Sequence, residues 1–225
     1  MSAQQRLGSK LRRFGILGDI HAEHEMLAAA LERLTLDGVE AVLAVGDIMD
    51  GLGNAVECCR LLAAHGAWVV RGNHERWFLE GQMRGLPEAT PTDGIDASTR
   101  AFLASLPATR RIDTVRGTLL LCHGTAGDDM STVRPEDSGY ALETNEALQS
   151  LITERAVAFL VCGHSHRRMV RRIGPLTIVN AGTLRRDENP GFGIVDLGED
   201  PHVTFFERGA GGAMAAVDVV PLLQG

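Results

Sequence analysis

The sequence predicts an α/β protein in one domain, with two β-sheets packed face to face and helices outside. Three observations carry this. Short continuous apolar runs alternate with helix-spaced segments in the first half of the chain, the pattern of βαβ units and a parallel sheet buried on both faces. From residue 167 onward, short apolar runs follow one another with only tight turns between them, such as Gly174-Pro175, and read as an antiparallel ladder. No linker-like stretch and no internal repeat divides the 225 residues, so a single domain over 1–225 is expected, its core at about 12–208.

The elements follow in order. Apolar runs ending in glycine and a polar residue occur at 12–19, 40–47 and 67–73. Between them, 22–36 carries Met26, Leu27, Ala30, Leu31 and Leu34 at helical spacing, and 54–65 carries Ala55, Cys58, Cys59 and Leu62. Two more helices are predicted near 74–84 and 96–105, the second stopped by Pro107. Buried strands at 118–124 and 157–164 flank a helix near 143–155. Strands without room for helices follow at 167–173, 176–182, 191–197 and 202–208. Residues 125–141 read as a long polar loop, a length often tied to function. The tail 209–225, GAGGAMAAVDVVPLLQG, carries little information and is expected to be partly mobile.

Composition narrows the function. The net charge is −7, which disfavours general nucleic-acid or anionic-membrane binding, since both need a basic surface. Phosphate chemistry stays open because bound metal ions can supply positive charge locally. No stretch approaches the ~20 apolar residues of a membrane helix, and the N-terminus lacks the apolar region of a signal peptide. Cys58, Cys59, Cys122 and Cys162 show no CxxC spacing, which predicts free thiols and a cytoplasmic setting.

One pattern recurs along the chain: an apolar strand ends in a small residue and then delivers metal-ligand side chains. The five instances are Gly18-Asp19-Ile20-His21, Gly46-Asp47-Ile48-Met49-Asp50, Gly72-Asn73-His74-Glu75, Cys122-His123-Gly124 and Gly163-His164-Ser165-His166. Ligand sites of α/β sheets form beyond the carboxyl ends of strands, so these segments aim at one place. Five of the eight histidines lie in them. An Asp/His/Asn set without thiolate suits Mn²⁺, Fe²⁺ or Zn²⁺ rather than a structural zinc site. Asp19, His21, Asp47, Asn73, His123, His164 and His166 are too many ligands for one tetrahedral ion. They suit two ions ~3.5–4 Å apart, an arrangement that clamps the attacking and leaving oxygens of phosphoryl transfer.

These five segments, in this order, resemble the calcineurin-like metallophosphoesterase family, with its DxH, GDxxD, GNH, single-histidine and GHxH motifs, over about residues 12–183. The resemblance implies a four-layer αββα sandwich of two mixed sheets flanked by helices. It implies a first metal on Asp19, His21 and His166, a second on Asn73, His123 and His164, and Asp47 bridging the pair. It also implies a catalytic group of His74, Asp50 and Asn73: His74 contacts the phosphate and protonates the leaving oxygen, and Asp50 orients it. A hydroxide between the metals would attack phosphorus in line, without a phosphoenzyme. The two divalent ions are expected to be Mn²⁺ foremost, with Fe, Zn, Ni or Mg also able to serve, and the partner is a small phosphorylated substrate.

The branch is nearest to single-domain bacterial phosphoesterases and phosphodiesterases, given GDIMDG, HGT and Asn180-Ala181-Gly182-Thr183. The RGNHE stretch resembles Ser/Thr protein phosphatases, but Gly51 stands where their phosphate-binding arginine would be. A dinucleoside polyphosphate hydrolase, a nuclease and a non-catalytic metal-binding scaffold compete with these two readings. Arg167, next to a ligand, is a candidate for a distal substrate phosphate or, equally, a charge protecting an edge strand. Trp77 and Phe78 are candidates for a rim around an organic group or for helix packing. His24 is a candidate to line the site or a solvated helix residue.

Overall fold

The computed structural model describes residues 10–209 and 213–222. The chain opens with three parallel strands, β1 (Arg13–Leu17), β2 (Val42–Ala44) and β3 (Trp68–Val69), linked by α1 (His24–Leu36) and α2 (Ala55–His65). Asn54 caps α2 by accepting the Glu57 N–H at 3.0 Å, and Gly66 ends it in the left-handed region. Then come α3 (Asn73–Glu80), a 3-10 turn at Thr92–Gly94 and α4 (Ala97–Ser105).

The chain crosses to a second sheet through β4 (Thr109–Thr114) and β5 (Gly117–Cys122). This sheet is extended by β6 (Phe159–Cys162), β7 (Met169–Ile173) and β8 (Leu176–Asn180) in the order β4-β5-β6-β8-β7. Short α5 (Tyr140–Glu143) and α6 (Glu146–Glu154) precede β6. The chain then returns through β9 (Gly191–Asp196), β10 (His202–Arg208) and β11 (Met214–Pro221), completing a six-stranded sheet in the order β11-β10-β9-β1-β2-β3.

Strand alternation sorts the apolar residues into three buried layers. Phe14, Ile16, Leu119, Leu121, Phe159 and Val161 fill the space between the sheets. Leu120, Cys122, Leu160 and Cys162 face the other way and meet Leu148 and Leu151 of α6. Leu27, Leu31 and Leu34 of α1 pack on the outer face of the six-stranded sheet with Leu62 of α2. Burying such side chains is worth about 1.5–3 kcal/mol each. The result is the four-layer αββα sandwich of two mixed sheets.

Three differences from the sequence reading have physical causes. The four late strands do not form one ladder. β7 and β8 pair antiparallel, but β8 also runs parallel to β6, while β9 joins β1 in the other sheet. The crossing is made at 183–190, where Leu184 is fully buried and donates its N–H to the Asp19 carbonyl at 2.8 Å. β4 gives no apolar run because it is an edge strand with Ile112 as its one buried aliphatic residue. β11 is likewise an edge, where the sequence predicts only a loosely held tail; residues 210–212 and 223–225 of that tail lie outside the described residues.

Among the described residues no helix is long and apolar enough to cross a membrane. All four cysteines are free and buried. Burial pushes the Cys59 and Cys122 thiols up to about 12 and raises those of Cys58 and Cys162 as well. A thiol-specific disulfide reagent at pH 8 is therefore expected to label none of them in the native protein and all four after unfolding. A fast-reacting native thiol would contradict this packing.

Candidate metal centre

The site lies at the ends of β1, β2, β5 and β6 and at the start of α3. Its backbone is strained in the way that sites often are. His21, Asp47, Asp50, His164 and His166 have φ of 45°, 45°, 60°, 63° and 55°, a region that costs non-glycine residues of the order of 1–3 kcal/mol each. These turns bend each strand end sharply, so that two ligands a residue apart, His164 and His166, both reach the centre. Gly72 is required for a different reason: a Cβ there would stand 2.2 Å from Asp47 Oδ1.

Two groups of ligand atoms result. Asp19, His21, Asp47 and His166 offer one atom each, all within 4.8 Å of one another; Asp47, His123 and His164 do the same. Asp47 belongs to both. Asn73 Oδ1 joins the second group, 2.8 Å from His123 Nε2 and 3.0 Å from His164 Nδ1. Thus all seven predicted ligands converge, four from the six-stranded sheet and its helices and three from the other sheet.

Second partners fix which ring nitrogen faces the centre. His21 Nδ1 donates to the Asp50 carbonyl at 2.8 Å, and His123 Nδ1 donates to the Val45 carbonyl at 3.0 Å. His166 Nδ1 bonds Glu188 Oε2 at 2.7 Å. Each Nε2 is thereby turned inward, where its lone pair can serve a cation that displaces any proton held there. His21 Nε2 and His166 Nε2 then stand 3.1 Å apart. Two such lone pairs repel unless a proton or cation lies between them.

The carboxylates point to a cation as well. Asp19 Oδ2 is buried with no hydrogen-bond partner, an arrangement that is costly without an ion. Burial alone would keep His123 neutral, yet Asp47, Asp19 and Glu75 outweigh it and push the ring up to about 10. A pocket that holds a proton this tightly attracts a divalent cation by the same field. The donor set, its tautomers and its orphaned oxygen therefore fit divalent ions. Addition of Mn²⁺ at 100 times its dissociation constant to metal-free protein is expected to add about 2.7 kcal/mol of stability. For a chain of this size that is a rise in Tm of about 5–10 °C. An unchanged melting curve would speak against the centre.

His74 stands beside the centre and belongs to neither ligand group. Its N–H donates to Asp47 Oδ1 at 3.0 Å, its Nδ1 lies 2.8 Å from Asp50 Oδ2, and its Nε2 lies 3.9 Å from Asp47 Oδ2. Burial opposes its charge, but the bond to Asp50 and the charge of Asp47 raise it above the usual histidine value. Asp50 goes the other way. Burial would raise it, and bonds from His74, Arg84 and the Thr90 N–H together hold it well below the carboxylate range.

Several supporting residues escape sequence reading. Fully buried Glu75 accepts the N–H groups of Asp47 (2.8 Å), Ile48 (2.6 Å), Met49 (3.0 Å) and Gly72 (2.9 Å), which fixes the strained turn after β2. Its place two residues after Asn73 within GNHE is the signal that could have found it. Arg84, Thr90 and Glu188 lie in loops with no motif, and nothing in the sequence marks them.

The weaker candidates separate clearly. Phe78 is core, whereas Trp77 packs edge-on to His74 with ring centroids 4.8 Å apart. His24 accepts the Asn54 N–H at 3.2 Å at the start of α2 and stays out of the site. Arg167 is 60% exposed, 3.8 Å from Glu136, and borders a cavity of about 480 Å³ beside His166.

The chain belongs to the calcineurin-like phosphoesterase superfamily, whose domain profile matches residues 13–200. It resembles the crystal structure of a metallophosphoesterase from Sphaerobacter thermophilus, with 20% identity and a TM-score of 0.67 over 92% of this chain and 88% of that one. It also resembles Yfce, a phosphoesterase from E. coli, with 17% identity and a TM-score of 0.57 over 94% of this chain and 100% of that one. At these identities the likeness is one of fold. A stretch of 70 residues is 33% identical to serine/threonine-protein phosphatase 2 of Escherichia coli. That stretch is 31% of this chain and 32% of the relative, so the chain spans about a third of that protein's length.

Proposed function

We propose that this chain is a phosphoric ester hydrolase that works with two divalent ions, Mn²⁺ foremost, on small phosphomonoesters or phosphodiesters, nucleotide-like ones included. The observation that carries this reading is the pair of ligand groups sharing Asp47, with His74 Nε2 3.9 Å from the shared carboxylate. Asp19, His21 and His166 would hold one ion, Asn73, His123 and His164 the other, and Asp47 both. When bound, such ions supply charge neutralisation at the phosphoryl oxygens and an acidified water.

The protein's own part is orientation and proton delivery. With Nδ1 turned to Asp50, His74 presents Nε2 toward the phosphate and gives its proton to the leaving oxygen. Asp50 holds the ring against rotation. The four backbone bonds to Glu75 keep the Asp47 turn from relaxing. The free thiols support a reducing compartment such as the cytoplasm.

The stretch shared with a protein phosphatase favours a second reading, a Ser/Thr protein phosphatase. Position 51 weighs against it: a Cβ on Gly51 would lie 1.9 Å from the His21 carbonyl oxygen, so no arginine can be presented from there. The test is hydrolysis of an aryl phosphomonoester, its bis-aryl diester and a phosphopeptide by metal-stripped protein supplied with Mn²⁺, Zn²⁺ or Mg²⁺. Metal-dependent turnover of an aryl ester supports the proposal, and the ester preference names the substrate class. Two bound ions with no turnover of any ester would favour the scaffold reading instead.

A further inference from the structure

Arg84 lies outside every motif, in the loop after α3, yet its guanidinium faces the proton-delivering pair. Nη1 donates to Asp50 Oδ1 at 2.9 Å and Nη2 to Asp50 Oδ2 at 2.8 Å. The guanidinium is itself held from behind. Its Nε donates to the Gln82 carbonyl at 2.8 Å, and its Cζ lies over the Phe78 ring, 5.6 Å from the centroid. Thr90, further along the same loop, gives its N–H to Asp50 Oδ1 at 2.8 Å and accepts the Asp50 N–H at 2.9 Å. With His74 on Oδ2, the carboxylate has a donor for each of its roughly four lone-pair positions. The Asp50 side chain is 2% exposed, so water does not substitute for any of them.

A planar two-point donor fixes the plane of a carboxylate, which a point charge does not. Asp50 Oδ2 is shared between Arg84 Nη2 and His74 Nδ1, so the plane that Arg84 sets is the direction in which the imidazole is pulled. The loop is also tied down at its far side. Glu88 pairs with Arg185 at 3.2 Å, and Arg185 pairs with Glu188, the residue that bonds His166.

We propose that Arg84 is a positioning residue of this site: through its two-point grip on Asp50 it aims His74 Nε2 at the leaving oxygen. The proposal rests on the phosphoesterase reading above. A misplacement of about 1 Å costs on the order of a hundredfold in rate, which sets the size of the effect.

The test compares wild type, Arg84→Ala and Arg84→Lys as metal-loaded proteins on an aryl phosphate, with and without dilute guanidinium chloride. Arg84→Ala is expected to lose about tenfold to a hundredfold in kcat, with KM within about twofold of wild type and ion content unchanged. Guanidinium should restore part of the Arg84→Ala rate and none of the His74→Ala rate, and Arg84→Lys should fall between. A wild-type kcat in Arg84→Ala, or a deficit in KM or ion content that guanidinium does not relieve, overturns the proposal. A second readout needs no turnover: ¹⁵N-histidine NMR of the metal-free proteins, at a pH high enough to make the ring neutral, should show one Nδ1–H tautomer for His74 in wild type and a mixture in Arg84→Ala. Absence of turnover in loaded wild type would overturn the phosphoesterase reading alone. The NMR comparison then decides on Arg84, and an unchanged His74 signal in Arg84→Ala sinks the proposal.

Discussion

Asp47→Asn is expected to leave the fold intact and to abolish the proposed two-ion centre. Asparagine keeps the shape of the side chain and can still accept the His74 N–H that Asp47 Oδ1 accepts at 3.0 Å. What it loses is the charge at Oδ2, which lies 3.3 Å from His123 Nε2 and 3.8 Å from His21 Nε2, between the two ligand groups. Without that shared charge at least one ion is held poorly. Lewis-acid stabilisation of the transferring phosphoryl group is worth several kcal/mol, so turnover should fall by about 10³-fold or more. The metal-induced rise in Tm should shrink with it. Elemental analysis of the purified variant, read beside kcat, checks both. Two tightly bound ions together with near-normal turnover in Asp47→Asn would exclude a shared carboxylate.

His74→Ala should separate chemistry from metal binding. Because His74 is in neither ligand group, ion content and the metal-induced rise in Tm should match wild type, while the loss of the bond to Asp50 lowers the baseline Tm. General-acid help is typically worth about 10²–10⁴-fold, and kcat should drop by that much with an alkyl phosphate as substrate. With an acidic nitrophenol as leaving group, little proton donation is needed and the loss should be smaller. Asp50→Asn should follow the same leaving-group pattern, since it acts through the 2.8 Å contact with His74 Nδ1. An equal loss on both leaving groups would assign His74 to phosphate binding rather than proton delivery. A loss accompanied by missing ions would assign it to the metal centre.

Much of the fold and of the site is readable because one physical device is used repeatedly. A buried strand needs a continuous apolar run, and a strand end that turns sharply onto a ligand needs a small residue followed by the ligand itself. Gly18-Asp19, Gly46-Asp47 and Gly163-His164 are therefore visible one after another, and their order carries the family. The edge strands are harder to see. β4 carries no apolar run, and β11 is largely apolar yet buries only Met214, so its residues form no pattern that separates a strand from a tail. The supporting residues are harder still. Arg84 and Thr90 reach Asp50 across 34 and 40 residues, and Glu188 reaches His166 across 22. Such pairings depend on where loops land, and loops carry no period. The split of the late strands between two sheets is hidden for the same reason: residues 183–190 look like any turn, although they cross the sandwich.

That crossing has a consequence for how the protein is made. β1 is a central strand, yet the neighbour on one side, β9, pairs Gly15 with Ile194. At ordinary synthesis rates of ~5–20 residues per second, β1 leaves the ribosome roughly 10–35 s before that neighbour exists. Throughout this interval Phe14 and Ile16 border an open sheet edge, the kind of surface that recruits other chains. Asp19 is in the same position, since Thr183 and Leu184, which bond its carbonyl, and His164, which bonds its carboxylate, all arrive late. A chain cut before residue 191 is therefore expected to keep that edge of β1 open and to self-associate, which light scattering of the purified fragment would read.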